Sequence, residues 1–156
     1  MQSTIDVRLA LNHLIQTCKD GQEGFLTAAE NVNSEDVRRL LSELSLQRAG
    51  FAGELQQISH ELGDPSPEYA SSVAGTFHRG WMNLKTAILG RDAHSILTEC
   101  ERGEKAAVSE YEQALGLDLP DYIRKSIAQQ HGEIGKAHQR IQALAQSAGS
   151  SSNEGQ

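Results

Sequence analysis

Apolar residues recur at steps of three and four along most of the chain, which is the spacing of one face of an α-helix. The longest regular stripe consists of Val37, Leu41, Leu44, Arg48, Phe51, Leu55, Ile58 and Leu62. Arg48 is the one charged residue in this stripe, so we expect its side chain to face the core. A chain patterned in this way is predicted to be all-α.

Cap and breaker residues divide this pattern into four long helices, A to D. The expected bounds are Ser3 or Thr4 to Asn33 for helix A, Ser34 to Gly63 for helix B, about 93 to Leu115 for helix C, and Leu119-Pro120-Asp121 onward for helix D. A further helix is predicted over about residues 71–89, in the connection between B and C. The chain therefore contains two helical hairpins joined by a long crossover.

The crossover decides the predicted topology. A helix of about eighteen residues spans about 27 Å, enough to cross a bundle, and B and C would then run parallel. This gives a ferritin-like four-helix bundle with up-down-down-up topology over residues 1–146. The alternative is a helix C that starts near Val73 and runs antiparallel to B. Residues 147–156 lack apolar anchors and are predicted to be a disordered tail.

Several polar residues occupy inward positions and are predicted to share one layer of the core. They are Arg48 of helix B, Glu104 of helix C, His131 of helix D and Gln22 of helix A. Burying a charge without a partner costs several kcal/mol, so Arg48 and Glu104 should form an ion pair. His131 and Gln22 would satisfy the remaining donors and acceptors.

A metal site is the alternative interpretation of this layer. Its candidate ligands for iron or another divalent metal are Glu104, His131, Glu101, His138 and Glu23. Ferritin-like di-iron bundles take a Glu-x-x-His motif from each of two helices, but Ala128 stands three residues before His131. Arg48 would also repel a dication. The pattern therefore favours the ion pair over a two-metal centre.

A second group of candidates lies in the crossover, where His78, Arg79, Trp81 and Lys85 follow closely on one another. A small ligand bound beside Trp81 and the Arg48 layer would make the protein a carrier. Three Gly-x-x-Gly pairs begin at Gly21, Gly50 and Gly132, and Gly103 adds a single glycine. These glycines indicate either close packing, with room for residues such as Trp81, or a face for self-association.

Composition and motifs argue against several classes of function. The net charge is −7 and no run of Lys or Arg occurs, which argues against nucleic-acid binding. No apolar run reaches eighteen residues and no signal sequence is recognisable, so we expect a cytoplasmic protein without membrane insertion. Cys18 and Cys100 are predicted to be buried free thiols. No hydrolase or nucleotide-binding motif occurs, which favours a protein that is not an enzyme.

Five segments together resemble a known family: CKDGQEGF, LQRAGFAGEL, GTFHRGWMNLK, ECERGE, and Ala137-His138. Over about residues 3–145 the chain is similar to an uncharacterised bacterial family of ferritin-like four-helix bundles, a domain of unknown function distantly similar to the YciF-type stress proteins. The resemblance implies a ferritin-like fold and a stress-linked role. It draws attention to Asp20, Arg48, Glu54, His78, Arg79, Trp81, Lys85, Glu101, Arg102, Glu104 and His138.

The sequence thus predicts a non-enzymatic, self-associating bundle that acts through protein contacts, with a homo-oligomer or another protein as its partner. The alternative is a metal-binding or ferroxidase-like protein with a degenerate carboxylate and histidine site.

Overall fold

A computed structural model describes residues 3–64, 80–90 and 92–154 of the chain, with side chains as far as residue 149. Five helices and no strand are found in this part. They are α1 (Thr4–Glu30), α2 (Glu35–Glu61), α3 (Leu84–Leu89), α4 (Ala93–Leu115) and α5 (Asp121–Glu154). The all-α prediction is confirmed, and the helices A, B, C and D of the sequence correspond to α1, α2, α4 and α5.

Side-chain caps start three of the long helices. The Ser3 hydroxyl accepts a hydrogen bond from the Asp6 backbone N–H at 3.1 Å, and the predicted cap Ser34 accepts from the Val37 N–H at 3.3 Å. Asp92 caps α4 in the same way. Each cap satisfies a backbone donor that has no partner within its own helix, which fixes where the helix begins. Gly63, with φ of +99°, lies just beyond the end of α2.

The long helices pack as two hairpins, α1 on α2 and α4 on α5. The hairpins meet where α1 contacts α4 and α2 contacts α5. One buried apolar cluster joins the first half of α1, the second halves of α2 and α4, and the start of α5. The other cluster joins the second half of α1, the first halves of α2 and α4, and a later part of α5. Arg48 and Glu104 lie between the two clusters.

The crossover helix differs from its prediction. Its expected start at Ser71 lies outside the described residues, and within them helix begins only at Leu84. Gly80 has φ of +99°, which an α-helix does not accommodate, and the chain turns through Trp81 to Asn83 before α3 starts. A continuous helix through residue 80 is therefore wrong, because the chain turns there to insert Trp81 between α1 and α4.

The helix α5 continues to Glu154, whereas the sequence predicts a tail from residue 147. Packing on α4 accounts for part of this extension. A ring nitrogen of His94 lies 2.7 Å from the Ala145 carbonyl, and a Cβ placed on Gly149 would be 3.1 Å from the same ring. The start of α4 therefore supports α5 as far as Gly149. Among the described residues, no helix combines the length and apolar character needed to cross a membrane.

Candidate functional site

The buried centre of the molecule is the ion pair between Arg48 of α2 and Glu104 of α4. Their side chains are 1% and 0% exposed. Both terminal nitrogens of Arg48 donate to Glu104, one to each carboxylate oxygen, with Nη2 at 2.6 Å from Oε2. The bidentate geometry matches the planar guanidinium to the planar carboxylate. The pair predicted from the sequence is confirmed.

Neighbouring groups complete the environment of Arg48. Its Nε donates to the Gln47 side chain at 3.3 Å, and its guanidinium carbon lies 5.2 Å from the centre of the Phe25 ring. Burial lowers the pKa of Arg48, but the charge and hydrogen bonds of Glu104 outweigh this, so the pKa is raised overall. Arg48 therefore remains charged, and Glu104 gives it the partner that a buried cation needs.

Gly21 supplies the space for this arginine. A Cβ at Gly21 would lie 3.4 Å from Cγ and 3.5 Å from Nη1 of Arg48, so the stem of the arginine runs along the α1 backbone. Gln22, predicted to share the layer, is half-buried, and its backbone carbonyl accepts a hydrogen bond from Ser45 at 2.8 Å. Beside Arg48, α1 thus contributes the Gly21 backbone and the Phe25 ring, and not the Gln22 side chain predicted there.

A second set of polar side chains, linked by hydrogen bonds, crosses the core through Tyr111. The Cys18 sulfur lies 3.0 Å from the Tyr111 hydroxyl, which donates to Gln130 Oε1 at 2.6 Å. The amide nitrogen of Gln130 donates in turn to Glu54 at 3.2 Å. One chain of hydrogen bonds therefore links α1, α4, α5 and α2.

Burial makes these groups poor acids. It raises the pKa of Cys18 to about 11, although the Tyr111 hydrogen bond and the Arg48 charge oppose it. It also raises the pKa of Cys100 and that of Tyr111, and in both cases neighbouring charges add to the effect of burial. Both thiols are buried and free, as predicted. A thiol with a raised pKa contains little thiolate at neutral pH and is a weak nucleophile.

Trp81 fills a notch between α1 and α4 whose walls are two glycines. A Cβ at Gly24 would come within 2.4 Å of the indole, and a Cβ at Gly103 within 2.2 Å. Trp81 is 2% exposed and packs edge-on against Phe25, with ring centroids 5.0 Å apart. Gly80 also lies against the α4 backbone, where a Cβ would be 2.8 Å from the Arg102 carbonyl. Of the two roles predicted for the core glycines, the structure shows that Gly24 and Gly103 make room for Trp81.

The candidate metal ligands are distributed among different partners. Glu104 uses both oxygens on Arg48, while His131 lies 3.7 Å from Glu112, whose side chain is 63% exposed. His138 lies 3.7 Å from Glu101, and Glu23 is exposed. Within the described ranges, no three His, Cys, Asp or Glu side chains come together as a metal-binding group. The structure brings together only Glu101 and His138 of the five.

The placement of the two histidines follows from how α5 is rotated. The isoleucines at 127, 134 and 141 face the core, but the buried positions between them are filled by Gln130 and Ala137 and not by the histidines. Both sets of intermediate positions satisfy a three-four spacing, so the sequence did not decide between them. Apolar Ala137 and the hydrogen-bonded Gln130 are buried, which leaves His131 and His138 half-buried on the flank facing α4.

The four candidates in the crossover also differ in their placement. Trp81 is buried as described, and Lys85 is exposed. His78 and Arg79 lie outside the described residues. Further polar residues are buried among the described residues that the sequence did not single out as functional candidates, including Gln130, Glu99 and Asp64. The sequence does contain a pattern that could have identified Gln130. Positions 130 and 137 continue the isoleucine stripe with the same three-four spacing as positions 131 and 138.

A surface groove of about 520 Å³ lies between α1 and α4 and is here called the α1/α4 groove. Its floor and walls include Leu9, Ala10, Ala114 and Leu117. Leu9 is 62% exposed, and Ile5, one turn earlier on α1, is 66% exposed. We call Ile5 and Leu9 the α1 ridge, because together they form an apolar edge beside the groove.

A family model matches most of the chain. The family model described as Domain of unknown function (DUF2383) matches residues 6–117, from the start of α1 to just beyond the end of α4. A search of curated proteins finds no match.

Proposed function

The chain belongs to the family of the Domain of unknown function (DUF2383), and we propose that it is a non-enzymatic helical protein that acts through protein contacts, first with further copies of itself. The observation that carries this proposal is the apolar α1 ridge beside the α1/α4 groove. Single exposed apolar residues are common on protein surfaces, but two on one helix face beside a concave apolar groove are typical of a contact surface.

A second copy of the chain suits this surface because the ridge and the groove lie on one face. In a two-fold dimer each copy contacts the same patch on the other, so a ridge from each copy can enter the groove of its partner. The polar rim of the groove includes His13 and Glu110, which contact each other across it, so the Glu110 carboxylate already has a partner when a second copy approaches.

The proposal includes a ferritin-like architecture with up-down-down-up topology. Its support is the composition of the two apolar clusters, which pair the start of α1 with the ends of α2 and α4 and with the start of α5. In such an arrangement α1 is antiparallel to α2 and α4, so α2 and α4 run parallel. A ferritin-like bundle has this order when its B–C connection crosses the length of the bundle.

Replacing Leu9 with glutamate tests the proposed contact. A charge on the ridge should dissociate the oligomer, because burying it against the second copy is costly. Leu46→Glu is the matched control, since Leu46 is 74% exposed on α2 and does not line the groove. Sedimentation velocity should show an oligomer for the native chain and for Leu46→Glu, and a monomer for Leu9→Glu. A monomeric native chain, or equal effects of both variants, would contradict the proposal.

We propose a stress-linked role for this assembly in bacteria, which the resemblance to the YciF-type stress proteins supports. A strain that lacks the gene should then survive osmotic or oxidative stress less well than its parent. Complementation with the native gene should restore survival, whereas the Leu9→Glu gene should not. Equal survival of the deletion strain and its parent would contradict the stress-linked role.

The second candidate function is metal binding, and the contact between Glu101 and His138 favours it. A carboxylate and an imidazole 3.7 Å apart on facing helices could supply two ligands to iron or another divalent ion. Glu104 is bound to Arg48, so a site at this contact would need further ligands from solvent. Stoichiometric metal that is lost on His138→Asn would support this candidate over the first.

A further inference from the structure

A second depression, of about 390 Å³, lies between α3 and the first half of α4, and we call it the α3/α4 pocket. Asn83, Thr86 and Ala87 line it from the side of α3. Thr98, Glu99 and Arg102 line it from α4. The volume falls within the range of pockets that bind small molecules.

Glu99 is the unusual residue of this pocket. It is 3% exposed, and neither carboxylate oxygen has a hydrogen-bond partner in the described part of the chain. Burial raises the pKa of Glu99, while the charge of Arg102 and the backbone N–H of Asn83 act in the opposite direction. A buried carboxylate whose oxygens are left without close hydrogen-bond partners is costly, so one that lines a pocket points to a ligand with hydrogen-bond donors.

Three other polar side chains of α4 around the pocket already have partners. The Thr98 hydroxyl donates to the His94 carbonyl at 2.7 Å, and the Ser95 hydroxyl donates to Asp92 at 3.0 Å. The His94 ring contacts the Ala145 carbonyl. The Glu99 carboxylate therefore offers two acceptor oxygens, and Arg102, which is exposed and one helical turn further along α4, offers a positive charge.

We propose that the α3/α4 pocket binds a small zwitterion whose primary ammonium group donates hydrogen bonds to both oxygens of Glu99 and whose carboxylate points toward Arg102. An ammonium group has three donors and a positive charge, which suit two unsatisfied carboxylate oxygens. A divalent metal ion fits less well, because it requires several oxygen ligands and the pocket presents one carboxylate. This site lies away from the α1/α4 groove, so the two proposals can fail independently.

NMR titration of the ¹⁵N-labelled full chain tests the site with defined probes. The probes are 4-aminobutyrate, which has both charges, putrescine, which has two ammonium groups, and acetate, which has none. We expect saturable shifts of the Asn83, Thr98 and Arg102 amides with 4-aminobutyrate, weaker binding of putrescine because Arg102 repels its second charge, and no saturation with acetate.

Variants then separate binding from folding. Glu99→Gln keeps the shape of the side chain and removes its charge, so it should bind 4-aminobutyrate about tenfold more weakly or worse. Its thermal midpoint should be at least that of the native chain, because a buried unpaired charge is removed. Glu112→Gln, on an exposed part of α4, should bind like the native chain. Arg102→Gln should weaken 4-aminobutyrate binding but not that of putrescine.

Two results would overturn the proposal. The first is the absence of saturable shifts with both ammonium probes, and the second is native-like binding by Glu99→Gln. Tighter binding of putrescine than of 4-aminobutyrate would overturn the role given to Arg102.

Discussion

At the residue scale, the Arg48–Glu104 pair places two opposite charges inside the core. Both side chains are fully buried, so each needs the other to compensate its charge. Replacing such a pair with apolar residues can be neutral for stability, but removing one member leaves a buried charge without compensation. The pair therefore makes the fold sensitive to changes at either position.

Glu104→Gln should consequently lower the free energy of unfolding by about 3 kcal/mol, because the substituted amide cannot neutralise Arg48. Urea denaturation of the two proteins measures this difference. Glu112→Gln is the control, since its side chain is 63% exposed and a surface substitution should change stability by less than about 0.5 kcal/mol. A Glu104→Gln protein with the native midpoint would show that the ion pair does not form.

The sequence could predict this pair because the regular stripes fixed which residues of α2 and α4 face inward. Burial then required that the two opposite charges meet. The rotation of α5 was not predictable, because positions 130 and 137 continue its isoleucine stripe as regularly as 131 and 138. Only tertiary contacts, such as the hydrogen bond from Tyr111 to Gln130, distinguish the two rotations.

At the element scale, the crossover is attached to the bundle through Trp81. The indole occupies the space that side chains at Gly24 and Gly103 would take, so the two glycines and the tryptophan depend on one another. The sequence offered room for Trp81 as one role of the glycines, but it did not show which glycines contact the indole. That detail depends on the turn at Gly80, whose positive φ cannot be inferred from an apolar spacing.

Gly103→Ala should destabilise the protein by about 1–3 kcal/mol, because the added methyl group overlaps the indole. Gly53→Ala is the matched control: Gly53 also lies inside a helix, but a Cβ there meets nothing within 4 Å. This control should stabilise the protein by up to about 1 kcal/mol, the helix-propensity difference between Gly and Ala.

Thermal unfolding measures both glycine variants. Trp81 is the only tryptophan of the chain, so its fluorescence reports directly on the notch. The emission of Gly103→Ala should shift to longer wavelength as the indole is displaced toward water. An unchanged midpoint together with unchanged emission would contradict the proposed insertion of Trp81.

At the scale of the whole molecule, the direction of α4 relative to α2 decides the topology. Parallel helices place Arg39, near the start of α2, at the same end as Ala93 and away from Gln113. The two α4 positions are separated by about 30 Å along the helix. All three positions are exposed and accept spin labels, and the buried thiols at Cys18 and Cys100 should remain unlabelled.

Distances between pairs of spin labels should therefore be shorter for positions 39 and 93 than for positions 39 and 113. The reverse order is expected if α2 and α4 are antiparallel, as in the alternative topology. That result would contradict the up-down-down-up arrangement while leaving the all-α fold intact.

Our central proposal is that this protein self-associates through the α1 ridge, while its buried core is closed by the Arg48–Glu104 ion pair and holds no metal. Native mass spectrometry of the untagged full chain after anaerobic loading with Fe(II) tests both parts in one spectrum, since each mass gives the number of subunits and any bound metal. We predict an oligomer whose mass is an integral multiple of the metal-free chain. A monomer that carries stoichiometric iron would contradict the account.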